Sequence, residues 1–128
     1  MKPIYPLWKT PHSPIDSPSS SSMRHFSVGQ LHDYLSRVAT PPVLLDVREP
    51  WEYDICHLHD STLIPMGQLA NRVQELNKDE ETVVICHHGV RSLQVCYFLT
   101  SAGFTNLINL SGGLAAWALD IDKDMATY

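Results

Sequence analysis

An α/β fold, a parallel sheet with helices on both faces, is predicted by three features of the sequence. Four short runs, 43–47, 62–64, 82–85 and 107–110, are almost wholly apolar or β-branched, as strands buried on both sides are. The segments between them carry apolar residues at helical spacing. One stretch, Cys86-His87-His88-Gly89-Val90-Arg91-Ser92, joins a strand to a helix. In such a sheet, the loops at the carboxyl ends of the strands are where function is expected.

Order is expected from about Arg24. Ser27 and Gln30 form a capping box, with Phe26 and Leu31 as the hydrophobic staple around it. Leu31, Tyr34, Leu35 and Val38 then share one helical face. This helix stops before Thr40-Pro41-Pro42, because the residue before a proline avoids helical dihedrals. A strand follows at Val43-Leu44-Leu45-Asp46-Val47, and Pro50, whose missing N–H is harmless in a first turn, starts a short helix through Glu52 and Tyr53. Pro65 ends the strand Thr62-Leu63-Ile64, and Leu69, Val73 and Leu76 mark another helical face. The strand from Thr82 to Ile85 leads into Cys86, and a helix over 91–102 follows with Gly103 as its terminating glycine. Leu107-Ile108-Asn109-Leu110 makes a last strand, after which Gly112-Gly113 turns the chain into a short helix carrying Trp117.

With 128 residues, 44% apolar and 18% charged, the chain has room for one domain with a real core. Its net charge of −5 argues against nucleic acid or an anionic membrane surface as a partner, since both attract basic surfaces. Residues 92–119 carry no charged side chain, a length that could cross a bilayer, but Asn106, Asn109, Ser111 and three glycines interrupt them. A buried helix and strand is the expectation there. The three cysteines, at 56, 86 and 96, cannot all pair, which points to a reducing, cytoplasmic setting. Residues 1–22 hold five prolines and six serines and are expected to form a disordered extension. Pro3 and Pro6 break the apolar run that a signal peptide requires, so the domain is expected over 23–128.

At a strand-to-helix turn, N–H groups of the loop and the first helical turn converge on an anion-binding concavity at the positive end of the helix. A thiol at its centre, Cys86, is expected to lose its proton readily and to attack electrophilic sulfur or phosphorus. Cys86, four intervening residues, Arg91 and Ser92 resemble the active-site loop of the rhodanese (sulfurtransferase) family. The segment 44–53, Leu-Leu-Asp-Val-Arg-Glu-Pro-Trp-Glu-Tyr, resembles that family's Asp-Val-Arg-Glu segment. The segment 110–117, Leu-Ser-Gly-Gly-Leu-Ala-Ala-Trp, resembles its C-terminal Gly-Gly-x-x-x-Trp segment. The three motifs stand in the family's order and cover about residues 24 to 128.

This resemblance implies a rhodanese-like fold with a sheet of about five strands. It implies a sulfurtransferase that moves a sulfane sulfur from a small donor, thiosulfate or a persulfide, to a thiophilic acceptor through a persulfide on Cys86. The loop residues His87, His88, Gly89, Val90, Arg91 and Ser92 would bind the donor and the transferred sulfur. Arg91 either adds positive potential or ties the loop closed through a carboxylate or backbone carbonyls, and its place at the helix start favours the tie. His87 and His88 face the substrate, and neutral histidines attract thiosulfate less than Lys or Arg would. Asp46 and Arg48 are expected to form a structural pair near the site.

No metal or organic cofactor is implied, because Cys56-His57-Leu58-His59 and Cys86-His87-His88 lack regular ligand spacing. Cys96 is expected to be a small buried hydrophobe and Trp117 a core anchor. Cys56 is either inert or able to resolve the persulfide into a disulfide. At 56–61 this chain has Cys-His-Leu-His-Asp-Ser where the family shows a Gly-His-Ile-Pro-Gly-Ala type segment, so a differently shaped turn is expected. The tail 120–128, ending in Tyr128, is similar to that of rhodanese domains attached to enzymes that activate ubiquitin-like sulfur carriers, which implies a thiol or sulfur-carrier protein as acceptor. Two other readings stay open. A cysteine phosphatase or arsenate reductase of the same fold would have a loop one residue longer, and a binding module without turnover would not need Cys86.

Overall fold

The computed structural model describes residues 23–128, so the extension expected at 1–22 lies outside the described residues. The elements run β1 (Met23–Phe26), α1 (Val28–Arg37), β2 (Val43–Asp46), α2 (Pro50–Ile55), β3 (Thr62–Leu63), α3 (Leu69–Arg72), β4 (Thr82–Ile85), α4 (Val90–Ser101), β5 (Leu107–Leu110) and α5 (Gly113–Asp120). All strand pairs are parallel, in the order β1-β5-β4-β2-β3. The predicted parallel α/β sheet of about five strands is therefore present. Its middle strand is β4, which pairs with β2 from Val43↔Thr82 to Asp46↔Ile85 and with β5 from Thr82↔Leu107 to Val84↔Asn109.

Alternation along the buried strands divides the core in two. Leu45, Val47, Val84 and Cys86 pack with Val95, Cys96 and Leu99 of α4 on one face. Leu44, Val83, Ile85, Ile108 and Leu110 pack with Val28 and Leu31 of α1 and Leu114 and Trp117 of α5 on the other. Cys86 thus leaves the sheet from its middle, held by packed layers on both sides. Trp117 is 8% exposed, a core anchor as expected.

The caps follow the sequence. Gln30 N donates to Ser27 Oγ at 3.1 Å, and Ser27 N donates to Gln30 Oε1 at 2.8 Å. α1 ends at Val38, ahead of the prolines. Two elements differ from the expectation. β1 was not legible as a strand, because its four residues, Met-Arg-His-Phe, show neither alternation nor a β-branched run. The single helix expected over Leu69, Val73 and Leu76 is a short α3 flanked by 3₁₀ turns at Met66–Gln68 and Val73–Glu75. A spacing of four then three suits tight turns as well as an α-helix, and Leu69, Val73 and Leu76 still reach the core. In the turn after α2, Asp60 takes φ 65°, a left-handed backbone that Asp tolerates better than most side chains. Among the described residues no helix is long and apolar enough to cross a membrane.

Candidate active site

The loop 86–92 closes on the sulfur of its first residue. Gly89 N donates to Cys86 Sγ at 3.0 Å and Ser92 N donates at 3.3 Å. Gly89 adopts φ 102°, a left-handed backbone that glycine takes without strain. Ser92 Oγ lies 3.3 Å from Sγ and donates its proton to Asn109 Oδ1 at 2.6 Å, with Ser92 and Asn109 both buried. Cys86 is 1% exposed, so the sulfur is recessed within the loop.

α5 supports the same loop from behind. Leu114 N donates to the Cys86 carbonyl at 3.0 Å and Ala115 N to that of His87 at 2.9 Å. These contacts bring the backbones so close that a Cβ on Gly113, which has φ 59°, would strike the carbonyl oxygens of Cys86 and His87. The Gly112-Gly113 pair therefore seats the first turn of α5 against the loop.

Two ion pairs and one tyrosine lie beside the loop as a continuous network. Arg48 is fully buried, with Nη2 2.7 Å from Asp46 Oδ2 and Nε 2.9 Å from Asp46 Oδ1. Its remaining donors reach the carbonyls of Cys56 at 2.6 Å and Glu52 at 3.3 Å, and the hydroxyl of Tyr128 at 2.9 Å. Burial works against the Arg48 charge, but Asp46 and Tyr128 more than offset it and its pKa rises. Tyr128 in turn donates to Glu52 Oε2 at 2.8 Å. Arg91 grips Glu52 with both terminal nitrogens, at 2.7 and 2.9 Å. Glu49 N completes the carboxylate's partners at 2.9 Å. Held by Arg91 above all, the Glu52 carboxyl titrates at about 2 despite its burial, while burial pushes the Tyr128 hydroxyl up to about 12.

Beside the loop opens a cleft of about 270 Å³, lined by Cys56, His87, His88, Leu114, Ala115, Ala126, Thr127 and Tyr128. The His87 ring stacks on that of Tyr128, centroids 4.3 Å apart, and meets His88 edge-on at 4.1 Å. Its Nδ1 is buried without a hydrogen-bond partner among the described residues. Burial, and then the neighbouring His88, lower the His87 pKa.

Of the residues expected at the site, Cys86, Gly89 and Ser92 converge on the sulfur, and His87 and His88 line the cleft. Val90 contributes no bond to the sulfur, and its side chain is 65% exposed. Arg91 takes the loop-tying arrangement, through the carboxylate of Glu52. Asp46 and Arg48 are paired and buried. Cys96 lies in the core with its thiol pushed up to about 12 by burial. His57 hydrogen-bonds the Tyr53 carbonyl at 2.8 Å at the surface, and His59 is exposed. Cys56 is a free thiol on the cleft wall. Three residues around the site are not marked as such by the sequence. The sequence places Glu52 only in a helix, Asn109 only in a strand, and Tyr128 only at the end of a tail. Polar residues inside apolar runs, as Asn109 is in Leu-Ile-Asn-Leu, were the available signal.

The description Rhodanese-like domain belongs to the family that matches residues 27–120. A probable adenylyltransferase/sulfurtransferase MoeZ from Mycobacterium tuberculosis is 37% identical over 87 residues, covering 66% of this chain and 22% of that protein. A sulfurtransferase from Allochromatium vinosum is 37% identical over 76 residues, 59% of this chain and 71% of that one. The crystal structure of a rhodanese-like domain protein from Staphylococcus aureus superposes with a TM-score of 0.69 at 29% identity, covering 74% of this chain and 91% of that one. The chain thus spans about a fifth of the MoeZ relative and most of the smaller proteins. The match over 27–120 takes in β2, β4 with its cysteine loop, β5 and α5, and with it the chain belongs to the rhodanese-like domain family.

Proposed function

We propose that this chain is a sulfurtransferase that carries a sulfane sulfur as a persulfide on Cys86. One observation carries the reading: the sulfur of Cys86 is the focus of backbone N–H groups from Gly89 and Ser92, donors fixed in place before any substrate arrives. Such a cradle accepts negative charge on a thiolate and on the persulfide that replaces it. The nucleophile attacks the outer sulfur of a donor such as thiosulfate or a thiol persulfide. The donor's S–S bond breaks, its electron pair leaves on sulfite or on a thiolate, and a new S–S bond joins the transferred sulfur to Cys86. An acceptor thiolate, or cyanide in an assay, then takes that sulfur and restores Cys86. A thiol or a sulfur-carrier protein would be the acceptor, in a reducing compartment such as the cytoplasm, since all three cysteines are free. Loop size separates this chemistry from phosphate or arsenate handling, because four residues between Cys86 and Arg91 leave a small ring for a larger oxyanion.

Intact-protein mass spectrometry after incubation with thiosulfate, and separately with cysteine persulfide, tests the reading. Wild type gains one sulfur atom that cyanide removes, and Cys86→Ser gains none. Absence of any gain from either donor rejects the sulfurtransferase reading; a phosphatase substrate is then the next test, and failure there too favours a binding module.

A further inference from the structure

The charges around the cleft point to one class of donor, within the sulfurtransferase reading on which this inference rests. Among the described residues no Lys or Arg lines the cleft. The two arginines beside it are matched one for one by carboxylates: Arg48 by Asp46, and Arg91 by the bidentate Glu52. Those four charges sum to zero, and Arg48 is wholly buried, so it cannot swing out to meet a ligand. Burial also favours the neutral form of His87. What the described residues leave for a negative ligand is the exposed imidazole of His88 and, next to the cleft, the backbone cradle already filled by the Cys86 sulfur. Apart from His88, Cys56 and Thr127, the cleft's own walls are the ring of Tyr128, held on His87, with Leu114, Ala115 and Ala126.

Thiosulfate enters with two negative charges and its leaving group, sulfite, departs with two. In a half-enclosed cleft these need a cationic partner that is not matched elsewhere. A thiol persulfide transfers the same sulfur from an uncharged reacting end and releases a leaving group with one charge, and the body that carries the thiol can pack on apolar and aromatic walls. We propose that the cleft selects a thiol persulfide, R–S–SH with a small uncharged or zwitterionic R, over thiosulfate, and that the stacked pair His87–Tyr128 is its recognition wall. In the step, Cys86 Sγ attacks the terminal sulfur, the bond between the two donor sulfurs breaks, and its electron pair leaves on R–S⁻. A Cys86–sulfur bond forms and the hydrogen stays on the transferred sulfur, with no net oxidation.

The experiment measures second-order rates of Cys86 sulfur loading by mass spectrometry, with cysteine persulfide and with thiosulfate, for wild type and Ala126→Lys. Ala126 is exposed at the cleft, so the new cation needs no repacking, and matching melting temperatures check this. Wild type is expected to load from cysteine persulfide at least about tenfold faster than from thiosulfate, the scale on which electrostatic attraction acts. The two donors also differ in intrinsic reactivity, so the variant decides. Ala126→Lys is expected to shift the rate ratio toward thiosulfate by about fivefold or more, and added salt to reverse that shift. Equal rates in wild type, or an unchanged ratio in Ala126→Lys, overturn the inference and leave the sulfurtransferase reading standing. Loading from neither donor overturns both.

Discussion

Tyr128 donates its hydroxyl to Glu52 at 2.8 Å across 76 positions of sequence, and by accepting from Arg48 at 2.9 Å it joins the two ion pairs into one network. Removing the hydroxyl leaves a buried arginine one partner short and a carboxylate with one donor fewer. Tyr128→Phe is expected to cost about 1–3 kcal/mol, since both bonds involve charged groups. Chemical denaturation of the two proteins measures it. Tyr128→Ala should cost more, because the ring's contacts with His87 and Trp51 go as well. Equal losses in the two variants would show that the ring contributes nothing beyond the hydroxyl.

Acid should uncouple the second ion pair. The folded-state pKa of Glu52 is depressed from 4.5 to about 2, so its stabilising contribution is complete above about pH 4.5 and is lost as pH falls toward 2. The melting-temperature gap between wild type and Glu52→Gln is therefore expected to be widest above pH 4.5 and to narrow steadily below it. A gap independent of pH over that range would mean that Arg91 does not hold the carboxylate ionised.

Ser92→Ala removes the hydroxyl between Cys86 and Asn109. Asn109 Oδ1 then loses a buried donor, for a loss of about 1–3 kcal/mol in denaturant titrations. Sulfur loading of Cys86 is expected to slow with it, because that hydroxyl also lies 3.3 Å from the sulfur. Unaltered stability and unaltered loading together would remove the Ser92 hydroxyl, though not its N–H, from the site.

Gly113→Ala places a methyl group against the Cys86 and His87 carbonyls on a backbone with φ 59°. The expected loss is about 2–4 kcal/mol, and the loop should shift with α5. Gly67→Ala is the matched control: its Cβ meets nothing within 4 Å, so stability is expected to change by less than about 1 kcal/mol. Differential scanning calorimetry of both variants would distinguish a specific collision from a general sensitivity to glycine replacement.

The parts of the fold that were legible are those written locally. The capping box at Ser27, the prolines that bound α1 and β3, and the apolar runs of β2, β4 and β5 each need only a few neighbouring residues. β1 was not legible, because its pairing with Leu107–Leu110 is settled more than eighty residues away, and only Met23 and Phe26 are apolar. The same division runs through the site. Cys86, Gly89 and Ser92 share one loop whose spacing announces it. Glu52, Asn109 and Tyr128 come from three other elements, and only tertiary packing shows that they meet. Arg91 stands between the two cases: its place at the helix start suggested a tie, while the identity of its partner required the structure.

Because β4 is bonded on both edges and covered on both faces, the amide hydrogens of Val83–Ile85 should be among the slowest in the protein to exchange with deuterated water. Those of β3, two residues long at one edge of the sheet, should exchange far sooner. The Cys86 sulfur, the proposed carrier, follows directly on that strand. Local openings can then carry the outer segments away from the cleft and back while the cysteine's own anchor stays shut until the whole domain unfolds.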